Sequence, residues 1–86
     1  MTNNQETKLL ITNFIKNEFL YDKPEITLTE DLNIIEQGIL DSMDIFRLIQ
    51  FIEEKLSITL EPEEMVQTNF QSINHILDFV NTKQNQ

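Results

Sequence analysis

The sequence predicts an all-α fold, a small four-helix bundle with a long first connection and a short third helix. Two observations lead there. Apolar residues recur at steps of three and four in separate segments. Helix-breaking punctuation is sparse, with one Gly and two Pro in 86 residues. A chain of this length is a single domain, expected to span residues 1–86 with a core over about 7–80. Domains this small bury only roughly 60–65% of their unfolded surface, which leaves little room for an internal active site.

The first helix is predicted from about Gln5 to Leu20, where Leu10, Ile11, Phe14, Ile15 and Phe19 make one apolar face. Pro24 bars continuation and disfavours helical geometry at Lys23. From Tyr21 to Leu40 the periodicity breaks, with Ile26, Leu28, Leu32, Ile34 and Ile35 as scattered anchors. Such a connection reads as a long ordered loop, which tends to be functional or to hide a short helical turn. Gly38 ends it. The second helix runs from Asp41 or Ser42 to about Leu56, with Ile45, Leu48, Ile49, Ile52 and Leu56 on one face and Phe46 beside it.

Glu61-Pro62-Glu63-Glu64 reads as the start of a short third helix, since Pro suits the first position and early acids complement the dipole. Ser72 is the expected N-cap of the last helix, followed by Ile73, Ile76, Leu77 and Val80. The tail Lys83-Gln84-Asn85-Gln86 is expected to fray. The core is expected to include Ile11, Ile15, Phe46, Ile49, Ile52, Leu56, Ile73, Ile76 and Leu77.

Charge excludes some functions. A net charge of −9 argues against nucleic-acid binding, which needs clustered Lys and Arg. It favours partners with basic surfaces. Between Asp41 and Glu64 seven acids face only Arg47 and Lys55, a local net of −5. The chain has no Cys, so any reactive thiol must come from a cofactor. No apolar run is long enough to span a bilayer, and the start Met1-Thr2-Asn3-Asn4-Gln5-Glu6 is unlike a secretory signal. The expectation is a cytoplasmic protein that binds neither nucleic acid nor membrane.

Chemistry-bearing motifs are few. His75 is the sole histidine, and with Ser42 it makes no triad, because no third orienting group or oxyanion-binding loop is identifiable. It is expected at a helix surface or boundary. The carboxylates do not fall at EF-hand spacing, and a single Gly cannot build a phosphate loop. Neither catalytic residues nor a metal site is therefore expected. Phe14, Phe19, Phe46, Phe51, Phe70 and Phe79 read as core or loop anchors rather than a base-stacking platform. What stands out is Gly38-Ile39-Leu40-Asp41-Ser42-Met43, which displays a serine at the mouth of the second helix with a carboxylate before it. Read locally, Asp41 is an N-cap that forms a reciprocal arrangement with Asp44, and Ser42 is simply the first helical residue. A displayed serine without a base of its own is better suited to modification by another enzyme than to catalysis.

In context that hexapeptide is followed by Phe51-Ile52-Glu53-Glu54-Lys55-Leu56 and by Asn69-Phe70-Gln71-Ser72-Ile73. In order and spacing, from about Thr7 to Val80, this resembles the acyl carrier and peptidyl carrier protein family, with its amphipathic first helix, long loop, Gly-x-x-Asp-Ser-Leu/Met site and acidic second helix. The resemblance implies a four-helix bundle of the acyl-carrier type that acts as a covalent tether and is not itself an enzyme. It implies covalent 4′-phosphopantetheine on Ser42, donated by coenzyme A, with Asp41 positioning the serine. The cofactor would carry the thioester chemistry and the protein would supply attachment and recognition.

The implied partners are a phosphopantetheinyl transferase, an AMP-forming acyl or amino-acid ligase, and a downstream synthase or transferase. Met43, Arg47, Gln50 and Glu54 follow at i, i+4, i+7 and i+11, a stripe displaced from the core face and flanked by Asp44 and Glu53. The resemblance makes this stripe the docking surface. Arg47 stands where fatty-acid-synthase carriers commonly place an acid, and Gln50 where they often place an apolar residue. The pattern therefore looks more like free-standing carriers of specialised-metabolite or peptide biosynthesis. A fatty-acid or D-alanyl carrier is the alternative within the family, and a cofactor-free acidic interaction module the alternative outside it. A monomer is the default expectation.

Overall fold

A computed structural model describes residues 4–85, with three α-helices and two 3-10 turns and no strand among them. Helix α1 is Asn4–Phe19, α2 is Ser42–Leu56 and α3 is Ile73–Gln84. The fold is all-α. Where the sequence predicts a third helix there is only a 3-10 turn, Pro62–Glu64, and a second follows at Gln67–Asn69. The shortening has a physical cause. Between Glu61 and Asn69 the only apolar residues are the adjacent Met65 and Val66, which cannot share one helical face, so further turns would bury nothing.

Each helix buries the stripe its periodicity marks. Ile11, Ile15 and Phe19 of α1 are buried, as are Ile45, Leu48, Ile49 and Ile52 of α2 and Ile73, Ile76 and Val80 of α3. Leu56 and Leu77 are half-buried against this core. Phe46, expected in the core, is instead 56% exposed. At about 100° per residue it lies roughly 60° round the helix from Ile49, and the helix needs only the Ile45–Ile49 side to pack. Helices α1 and α2 meet through Phe14 and Phe51, whose rings stack at 4.0 Å, while α3 lies against α1 and the second 3-10 turn.

The long connection is ordered by hydrogen bonds as well as by burial. Ile34, Ile39 and Leu40 are buried, and Ile26, Leu28, Leu32 and Ile35 pack partly against the core. Ile34 N donates to Gln71 O at 2.8 Å and Asn74 N donates to Glu30 O at 3.0 Å, so the loop is pinned to the start of α3. Lys8 of α1 also pairs with Glu30. Inside the loop is the short helical turn the sequence suggests. Asn33 Oδ1 accepts from Ile35 N and Glu36 N, Gln37 N returns to Asn33 O, and Gly38 closes the turn at φ +74°. A side chain at Gly38 would meet no neighbour, so the backbone conformation alone favours glycine there.

The other ends follow local rules with one exception. Ser72 caps α3, its Oγ accepting from His75 N at 3.2 Å. The tail expected to fray from Lys83 stays helical to Gln84, because Lys83 is paired with Glu64 at 2.9 Å. Gln86, the last residue of that expected tail, lies outside the described residues. No described helix is long and apolar enough to cross a membrane.

Candidate functional site

Ser42 is the first residue of α2 and is exposed, and its hydroxyl hydrogen-bonds to no described residue. What holds it there is Asp41. Extended at φ −100° and ψ −173°, Asp41 accepts from Asp44 N at 2.9 Å while its own N–H donates to Asp44 Oδ2 at 3.2 Å. This reciprocal cap is the one expected from Asp41 and Asp44 in the sequence. From the other side, Ile39 N and Leu40 N both donate to Ile34 O at 3.0 Å, and both side chains are buried. The serine is therefore presented on a backbone fixed on either side. The N–H groups of Ser42 and Met43, first in the helix, are left to solvent or an anion, and the helix dipole favours the anion.

Beyond Ser42 the outer side of α2 carries Met43, 71% exposed, and Phe46, together with the exposed Arg47, Gln50 and Glu54. Phe46 is one turn from Ser42 on this side, and sequence reasoning missed it by assigning it to the core. The signal was available in its angular offset from Ile45 and Ile49. An exposed Phe next to an exposed Met makes an apolar patch beside the serine, flanked by charge.

The charged members of the stripe are less free than their spacing suggests. Asp44 is half-buried and committed to the cap. Glu53 is half-buried, and its Oε2 accepts from Leu60 N at 2.9 Å, closing the turn after α2. Arg47 pairs with Glu18 of α1. Only Glu54 has no described partner. Gln50 and Glu54 face Glu18 across a shallow groove floored by Phe14 and Phe51, so the stripe continues onto α1.

His75 is exposed, as a boundary residue should be, and its Nδ1 lies 2.6 Å from Ser72 Oγ. It serves the cap of α3. Among the described residues no group of three or more His, Asp or Glu is placed to hold a metal ion. What the arrangement around Ser42 can do chemically is present one unencumbered hydroxyl, with an apolar patch alongside, to a catalyst brought by another molecule. No protein-family model matches the chain, and a search of curated proteins finds no match.

Proposed function

We propose that this protein is a carrier whose Ser42 receives 4′-phosphopantetheine from coenzyme A. The observation that carries the reading is the exposed, unbonded Ser42 hydroxyl on a rigidly capped helix start, inside a chain with the order and spacing of carrier domains. The residues fit the group. A phosphodiester on Ser42 would lie by the free N–H groups of the first turn, and the apolar patch of Met43 and Phe46 would meet the enzyme that handles the arm. Once attached, the arm supplies a thiol that holds acyl or aminoacyl groups as thioesters.

In the attachment step Ser42 Oγ forms a P–O bond to the pantetheine-bearing phosphate, the pyrophosphate link of coenzyme A breaks and adenosine bisphosphate leaves. The hydroxyl proton passes to a base on the transferase. Asp41 holds the backbone of the nucleophile in place. Arg47 and Gln50 on the docking stripe favour an AMP-forming acyl or amino-acid ligase as the loading partner over the enzymes of primary fatty-acid synthesis.

Intact mass after incubation with coenzyme A and a broad-specificity phosphopantetheinyl transferase tests the reading. One phosphopantetheine is expected on the wild type and none on Ser42→Ala. Modification that persists in Ser42→Ala, or maps to Ser57 or Ser72, sinks it. A protein that stays unmodified would favour an acidic interaction module without a cofactor.

A further inference from the structure

Arg47 carries the positive charge of the outer α2 stripe, and its side chain reaches across the groove to α1. Its Nη2 donates to Glu18 Oε1 at 2.7 Å, and its guanidinium carbon lies 5.2 Å from the centre of the Phe19 ring. A charge-assisted hydrogen bond and a cation over a ring face both draw it onto α1. Across the same groove Glu54 is exposed and has no described partner. The groove beside the stripe therefore presents the unpaired Glu54 carboxylate to an approaching molecule, while the Arg47 charge that shares it is already paired with Glu18.

We propose that Glu18 is a specificity-determining residue of this surface, holding Arg47 against α1 so that the surface accepts enzymes with a Lys- or Arg-rich rim. The proposal rests on Ser42 as the attachment site and extends it to the chemistry of the partner. Glu18 acts through Arg47, as a positioning residue. Without it the long guanidinium side chain regains its rotamers and ranges over Gln50 and Met43, where it opposes an incoming cation. An acidic-rimmed partner would gain from the same change, so the clamp discriminates by the sign of charge.

The test is the rate of phosphopantetheine transfer from coenzyme A by a broad-specificity transferase with a basic contact rim, with kcat and KM for the carrier measured over a salt series. At low salt Glu18→Gln is expected to raise KM about three- to fivefold, the scale of one exposed charge contact, with kcat unchanged. The difference should collapse in high salt. The double variant Glu18→Gln/Arg47→Gln should match Arg47→Gln alone, because the clamp then has nothing to hold. Glu63→Gln removes the same formal charge on the exposed Pro62–Glu64 turn, away from the groove, and should move KM by less than half as much.

An unchanged or lowered KM in Glu18→Gln overturns the proposal. So does a double variant as impaired as Glu18→Gln, or an equal effect from Glu63→Gln. In all of these the wild type is still modified. A wild type that takes no phosphopantetheine removes the Ser42 reading and this proposal together.

Discussion

Glu53 Oε2 accepts the backbone N–H of Leu60 at 2.9 Å, so an acid that flanks the outer α2 stripe also fastens the chain as it leaves α2. Leu60 is buried beside this bond, and an unmet N–H there costs about 1–3 kcal/mol. Glu53→Ala should therefore lower stability by about 1–2 kcal/mol in denaturant unfolding, whereas Glu54→Ala should stay within about 0.5 kcal/mol. Equal midpoints for the two variants would show that the bond contributes nothing. Charge reversal to probe docking belongs at Glu54, because at Glu53 it also breaks this contact.

Burial separates two apolar residues of α2. Ile52 is fully buried, and Ile52→Ala should cost about 2–5 kcal/mol. Phe46→Ala should cost under about 1 kcal/mol, because the ring is mostly in solvent, yet it should slow modification of Ser42 by removing half of the apolar patch. Thermal unfolding and transfer kinetics on the same two variants check this. A Phe46→Ala protein as unstable as Ile52→Ala would return Phe46 to the core.

Capping and modification should separate at adjacent residues. Asp41→Ala removes the acceptor for Asp44 N and should cost about 1 kcal/mol, and adding Asp44→Ala should cost less than its separate effect, since both belong to one reciprocal pair. Ser42→Ala should leave the unfolding midpoint within a few degrees, because its side chain holds nothing and Ala is a good first-turn residue. A large loss of stability in Ser42→Ala would show an undetected structural role.

Acid should loosen the link between the first 3-10 turn and α3. The Glu64 carboxylate is held below its ordinary value, first by the backbone N–H of Glu61 that it accepts and then by Lys83. A lowered folded-state pKa means that its stabilising contribution is complete above the unfolded value of 4.5 and is lost as pH falls through the folded one. Glu64→Gln keeps an acceptor for Glu61 N but loses the charge. Its deficit in unfolding midpoint should be largest near pH 7 and should shrink as the pH falls below 4.5. A deficit independent of pH would mean that the charge plays no part.

The local sequence by itself determined the three α-helices, the Asp41–Asp44 and Ser72 caps, the buried stripes of those helices and the placement of Ser42 at a helix mouth. Helical periodicity and first-turn hydrogen bonds are set by residues three and four apart, so they are written locally. Only the tertiary structure decided which side chains are free. Phe46 is exposed because its side of α2 is left unpacked, Lys83 stays in a helix because Glu64 is 19 residues away in sequence and in contact, and Arg47 is held by Glu18, 29 residues earlier. The long loop became ordered the same way, through Ile34 to Gln71 and Glu30 to Asn74. Such pairings follow from how the helices and connections pack against one another, which no local spacing encodes.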